Sequence, residues 1–134
     1  MVDLMLDTAV LIIDDSWFAR NTLTKQLQGL GFEKFLEAGD ADQALSLLDE
    51  GGVGLIFCDQ QMPGITGTQL LRKLRDGHAF DDTLFILVTA HGDKDLVAEC
   101  SDFGGDGVVM KPFSSAELQN AIEQAFQARR QTQE

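Results

Sequence analysis

Tyrosine is absent from this 134-residue chain, tryptophan occurs once, and cysteine and proline occur twice each. Bases are scarce: ten Lys and Arg stand against 22 Asp and Glu, for a formal net charge of −12. Each shortage narrows the possibilities. Cys58 and Cys100 lie far apart with no CxxC or Cys/His spacing, which argues against a disulfide scaffold and a zinc site. One sits in an apolar run and the other on a helical stretch, so both read as small core residues. So acidic a surface repels nucleic acid and anionic lipid, and neither is expected as a direct partner. No apolar run approaches the roughly 20 residues that span a bilayer. The N-terminus has no basic stretch leading into a long apolar one, so no signal peptide is expected and the cytoplasm is the expected location. There is no internal repeat, low-complexity segment or linker. The length suits one compact domain, 1–134, and an apolar content of 44 % suits a real core.

Strand-like and helix-like segments alternate five times. The strands are expected at about 9–14, 33–38, 54–59, 83–89 and 106–110. Four are continuous apolar runs, as in parallel strands covered on both faces; the second is mixed in polarity and suits an edge. Three helix starts resemble capping boxes: Asp40-Ala41-Asp42-Gln43, Thr66-Gly67-Thr68-Gln69 and Ser114-Ser115-Ala116-Glu117. The first helix, about 16–29, carries Ala19, Leu23, Leu27 and Leu30 at helical spacing. The second stops at Gly51-Gly52. The third carries Leu70, Leu71 and Leu74. The fourth, about 93–102, is expected to turn Leu96, Val97 and Cys100 inward, and the fifth Leu118, Ala121, Ile122, Ala125 and Phe126. The polar tail from Gln127 to Glu134 is expected to fray. Strict alternation of this kind implies a parallel α/β sheet with right-handed crossovers, helices on both faces, and a functional crevice beyond the carboxyl ends of the strands.

Four polar signals fall at those carboxyl ends. Asp14-Asp15 follow Val10 to Ile13. Asp59 closes Leu55-Ile56-Phe57-Cys58 and leads into Gln60-Gln61-Met62-Pro63-Gly64. Thr89 follows Leu84 to Val88, and Lys111 follows Val108 to Met110. Singly, each has a bland reading. Asp14-Asp15 can start a turn or cap a helix, Thr89 suits a strand, and lysine is usually a solvated surface residue. Together they point further. Three carboxylates brought close cannot all ionise without a cation. Mg²⁺ takes oxygen ligands and often bridges to phosphate oxygens. Lys111 adds a fixed positive charge and Thr89 a hydroxyl donor.

The motifs Leu11-Ile12-Ile13-Asp14-Asp15-Ser16, Asp59-Gln60-Gln61-Met62-Pro63-Gly64, Val88-Thr89-Ala90 and Lys111-Pro112-Phe113, in that order over about residues 8–128, resemble the receiver domain of bacterial two-component response regulators. The resemblance implies a flavodoxin-like (βα)5 fold with strand order 2-1-3-4-5. It implies that Asp59 accepts a phosphoryl group from a histidine kinase or histidine phosphotransfer protein. Mg²⁺ would be held by Asp15, by Asp14 mainly through water, by Asp59 and by the carbonyl of Gln61. Lys111 would pair with Asp59 and then with the phosphoryl oxygens, and Thr89 would hydrogen-bond one of them. The Lys111-Pro112 bond would be cis. Output would be an altered protein-binding surface on the α4–β5–α5 face, formed by the helix at 93–102, the strand at 106–110 and the last helix. A stand-alone switch is expected, a monomer with a dimer as the alternative, with Mg-dependent self-phosphorylation and autodephosphorylation and a downstream protein as its target.

The pattern departs from its relatives at Val108, where they often carry Tyr or Phe three residues before the lysine. Valine has no ring to bury or expose, so the output face is expected to move by loop and helix shifts alone. Gln61 and His91, two residues past Asp59 and Thr89, read equally as exposed loop residues or as groups that govern access of water to an acyl phosphate. His78 reads as an ordinary loop residue. Trp17 has two placements open, beside the site or in the core. Other readings fit less well. A pseudo-receiver acting only as an interaction module would not need the complete set Asp14, Asp15, Asp59, Thr89 and Lys111. Haloacid-dehalogenase-type phosphatases want a second acid where Gln61 stands, and a flavodoxin phosphate loop would not read Asp14-Asp15-Ser16-Trp17.

Overall fold

The computed structural model describes residues 6–133, with side chains to residue 130. Its elements are β1 (Ala9–Ile13), α1 (Trp17–Leu30), β2 (Lys34–Ala38), α2 (Ala41–Asp49), β3 (Val53–Asp59), α3 (Gly67–Asp76), β4 (Leu84–Thr89), α4 (Lys94–Asp102), β5 (Gly107–Met110) and α5 (Ser115–Gln133). The five strands are parallel in the order β2-β1-β3-β4-β5, so the expected topology and the edge position of the mixed-polarity strand are borne out.

Alternation along each strand divides the core into two layers. Val10, Ile12, Leu55, Phe57, Ile86, Val88 and Val109 pack with Leu23 and Leu27 of α1 and with Leu118, Ile122 and Ala125 of α5. Leu11, Ile13, Ile56, Cys58, Phe85 and Leu87 pack on the other face with Ala44 and Leu48 of α2, Leu70, Leu71 and Leu74 of α3, and Cys100 of α4. Both cysteines are buried and free, as expected of core residues.

The helix starts behave as their sequences indicate. At Thr66 the side chain accepts from the Gln69 N–H while Gln69 reaches back to the Thr66 N–H, a full capping box. Ser114 and Glu117 reciprocate in the same way. At Asp40 the cap is present, but Gln43 bonds the N–H of Gly39 instead, so that box is offset by one residue. The Lys111-Pro112 peptide is cis.

Two expectations need correction. Val97 does not face inward; it is 45 % exposed. Leu96 and Cys100, one turn apart, define the buried stripe of α4, and Val97 lies about 100° round the helix from Leu96. The polar tail does not fray at Gln127, since α5 continues to Gln133. Arg129 ties it down: its Nε donates to Asp106 Oδ1 at 2.6 Å and its Nη1 to the carbonyl of Asp81. Arg130 lies over the Phe126 ring at 5.9 Å. Glu134 falls outside the described residues.

Candidate functional site

Register and parity assemble the site. Ile13 pairs with Cys58, which sets Asp14 level with Asp59 at the strand ends. Asp59 pairs with Val88, and Thr89 with Met110. Asp14 continues the 10, 12 series, Asp59 the 55, 57 series, and Lys111 follows Val109 by two. All three therefore emerge toward the α1/α5 face. Thr89 continues the Phe85, Leu87 series and points to the opposite face.

One carboxylate oxygen from each of Asp14, Asp15 and Asp59 lies within 4.8 Å of the other two. Lys111 Nζ stands 3.1 Å from Asp14 Oδ2 and 3.6 Å from Asp59 Oδ1, so its closer partner is Asp14 rather than Asp59. Lys111 starts two register steps beyond Asp59 and reaches back over β4, which brings its ammonium between the two acids. The acids differ in surroundings. Asp14 is buried, with Oδ1 accepting from the Ser16 N–H at 2.9 Å; Asp15 is exposed. Burial pushes the Asp59 carboxyl above its ordinary value, and the charge of Asp14 pushes it further. Lys111 and the backbone N–H of Gln61 offset part of that. A close set of acids with too little positive charge among them has the chemistry of a hard divalent-cation site, and the residues fit Mg²⁺.

Thr89 is buried, and its Oγ1 accepts the His91 N–H at 3.1 Å. A hydroxyl that accepts one bond can still donate its own proton. The side chains of Gln61 and His91 are exposed, while the Gln61 N–H reaches Asp59. Trp17, at the first residue of α1, is 66 % exposed and so is not a core residue. His78 adopts a left-handed φ of 60° and pairs with Asp81 at 2.8 Å.

Sequence reasoning missed four supporting residues. Gln60 clasps Thr68: its Oε1 accepts the Thr68 N–H at 3.0 Å and its Nε2 donates to Thr68 Oγ1 at 3.3 Å, closing the loop after Asp59. Gly67 lets α3 start against that strand end, because a Cβ there would lie 2.7 Å from the Asp59 carbonyl oxygen and 2.6 Å from Leu87. Arg20 Nη1 donates to the Asp14 carbonyl at 2.6 Å. Only the spacing of Thr68 and Gly67, inside a recognised capping box, gave any hint of them.

Similarity to known proteins agrees with this geometry. The family model for the response regulator receiver domain matches residues 10–123. The chemotaxis protein CheY of Pseudomonas aeruginosa is 35 % identical over 118 residues, covering 88 % of this chain and 95 % of that protein. A solved structure of the chemotaxis response regulator CheY4 of Vibrio cholerae superposes with a TM-score of 0.79 at 24 % identity, covering 88 % of this chain and 98 % of that one. A chain of the CheX–CheY–BeF3–Mg²⁺ complex from Borrelia burgdorferi matches with a TM-score of 0.82 at 25 % identity, covering 89 % of each. The matched range takes in the sheet from Val10 onward, and with it the strand ends that carry the acids and the lysine: the chain belongs to the response regulator receiver domain family and is similar to the chemotaxis regulators within it.

Proposed function

We propose that the chain, as a single receiver domain over 1–134, is a phosphorylatable cytoplasmic switch whose phosphoacceptor is Asp59. The observation that carries this reading is the cluster itself: three carboxylates within 4.8 Å, with an ammonium 3.1 and 3.6 Å from two of them. A carboxylate oxygen of Asp59 attacks the phosphorus of a phosphohistidine on a kinase or phosphotransfer protein. The new P–O bond forms as the P–N bond breaks, and the electron pair returns to the imidazole. Such a transfer demands positioning and neutralisation of charge more than covalent work by the protein.

Asp14, Asp15, Asp59 and the Gln61 carbonyl would hold Mg²⁺, which supplies charge neutralisation at the phosphoryl oxygens. Lys111 stands ready to leave Asp14 for a phosphoryl oxygen. Thr89 would exchange its present partner for the same group, shifting the β4–α4 loop and the α4–β5–α5 face. With Val108 in place of a ring, that face would respond through the loop and helix alone. Gln61 and His91, both exposed and two residues past Asp59 and Thr89, would meet incoming water.

The test is incubation with Mg²⁺ and acetyl phosphate, followed by intact mass, and with beryllofluoride, followed by fluorescence of Trp17 or amide spectra. Wild type should gain one phosphoryl group and respond to beryllofluoride; Asp59→Asn should do neither. A response that survives in Asp59→Asn removes Asp59 from the role. No response in wild type leaves an interaction module in place of a switch.

A further inference from the structure

The β1–α1 turn carries two of the three acids, and its backbone is gripped from behind. Arg20 Nη1 donates to the Asp14 carbonyl at 2.6 Å, while its Nε donates to Glu37 Oε1 on β2 at 3.0 Å. The Arg20 side chain is only 17 % exposed. Asp14 is held on its other sides too: its N–H donates to the Ala38 carbonyl at 3.1 Å and its carboxylate is shared between Ser16 and Lys111. Asp15 is different. Among the described residues its carboxylate has no hydrogen bond or ion pair, so what is held is the backbone it extends from, through the peptide joining it to Asp14. The oxygen of that peptide is the one Arg20 holds.

We propose that Arg20, with Glu37 behind it, is a positioning residue that sets the affinity of the acidic cluster for a divalent cation. The proposal rests on the reading of Asp14, Asp15 and Asp59 as the cation's ligands. The two partners divide the work. One guanidinium N–H anchors the Asp14 carbonyl and another is held by Glu37, which restrains the backbone from which the Asp15 carboxylate extends. Left alone, a second positive charge so close would oppose an incoming dication. Glu37 cancels it, so Arg20 orients the turn without that opposition. Outer partners that orient ligands in this way typically carry ten- to a hundredfold in metal affinity.

The experiment is a MgCl2 titration of the full chain at constant ionic strength, read from amide shifts in ¹⁵N-labelled wild type, Arg20→Gln and Glu37→Gln. Beryllofluoride is then added at saturating Mg²⁺. The dissociation constant should rise by about tenfold in Arg20→Gln, and by less in Glu37→Gln. All three proteins should reach the same beryllofluoride end state once the cation is saturating. An unchanged or tighter constant in a folded Arg20→Gln overturns the proposal and leaves the phosphoacceptor reading standing; tighter binding would mean that Arg20 merely repels the cation. If Arg20→Gln loses its dispersed spectrum, Glu37→Gln decides alone, and unchanged affinity there overturns the proposal. A wild type that takes neither Mg²⁺ nor beryllofluoride overturns the phosphoacceptor reading and this inference with it.

Discussion

Asp59 is an uncomfortable side chain. It is 13 % exposed and shares its space with Asp14, and the one ammonium between them leans toward its neighbour. A carboxyl whose proton is held more tightly in the folded chain than in the unfolded one contributes stability that declines as pH rises. The decline begins at the ordinary carboxylate value of 3.8 and runs up through the raised value. Above that window the cost is complete. Asp59→Asn removes it, so the metal-free variant should melt higher than wild type at neutral pH, by about 1 kcal/mol or roughly 3 °C. The gap should close as pH falls toward the carboxylate range, where wild-type Asp59 takes up its proton. Thermal melts in EDTA across that range check both the sign and the pH course; a gap that widens on acidification contradicts the assignment. The neighbouring Cys58 thiol is pushed far up by burial and by the same two acids, so it should resist alkylation until the chain unfolds.

At the scale of elements, stability is concentrated at the pole opposite the acids. Asp106, just before β5, accepts from the Phe85 N–H at 2.8 Å, from Arg75 at 3.2 Å and from Arg129 at 2.6 and 3.3 Å. Arg75 also caps the carbonyls of Phe80, Thr83 and Gly104. One carboxylate thus ties the end of α3, the starts of β4 and β5, and the last turns of α5. Removing it strands two shielded guanidinium groups, so Asp106→Ala should cost about 3–5 kcal/mol and lower the melting midpoint by roughly 10 °C or more. The far end of α5 should lose amide protection first. A change of a degree or two would show the knot to be ornamental. This knot explains what was hidden in the sequence. The strand runs, the Leu70, Leu71 and Leu74 stripe and the Thr66 capping box are local signals, and each was legible where it stood. Asp106 looked like the first residue of a strand, and Arg129 looked like part of a polar tail. Their meaning depends on contacts between residues 21 to 48 positions apart, which no window of sequence displays. The same holds at the site. Asp14, Asp15, Asp59 and Lys111 announced themselves by ending apolar runs, and parallel topology alone brings such ends together. Arg20 and Gln60 ended nothing and passed unremarked. Val97 failed for a related reason: its position on α4 was read as part of a wide apolar stripe, but α4 buries Cys100 fully and Leu96 in part, while Val97 stays exposed.

At the scale of the whole molecule, the net charge of −12 and the acidic cluster pose two different electrostatic questions. Diffuse self-repulsion is screened by any salt, because exposed charges separated by more than about 10 Å scarcely interact at 0.1 M ionic strength. The cluster is local and partly buried, and a monovalent ion among three carboxylates with oxygens within 4.8 Å offsets half the charge that a divalent one does. The two effects therefore separate by titration. NaCl should raise the melting midpoint modestly and then saturate. Mg²⁺ added on top of about 0.5 M NaCl should raise it again, because a ligand that binds only the folded chain stabilises it by about 1.4 kcal/mol at ten times its dissociation constant. Asp59→Asn should keep the NaCl response and lose most of the Mg²⁺ response, since it removes a ligand without altering the rest of the surface. Lowering the pH should erase the Mg²⁺ increment in wild type before it unfolds the chain, because the proton and the cation compete for Asp59, whose carboxyl burial holds above its ordinary value. A Mg²⁺ increment that vanishes in high NaCl would assign the effect to general screening and strip the cluster of any specific claim on the ion.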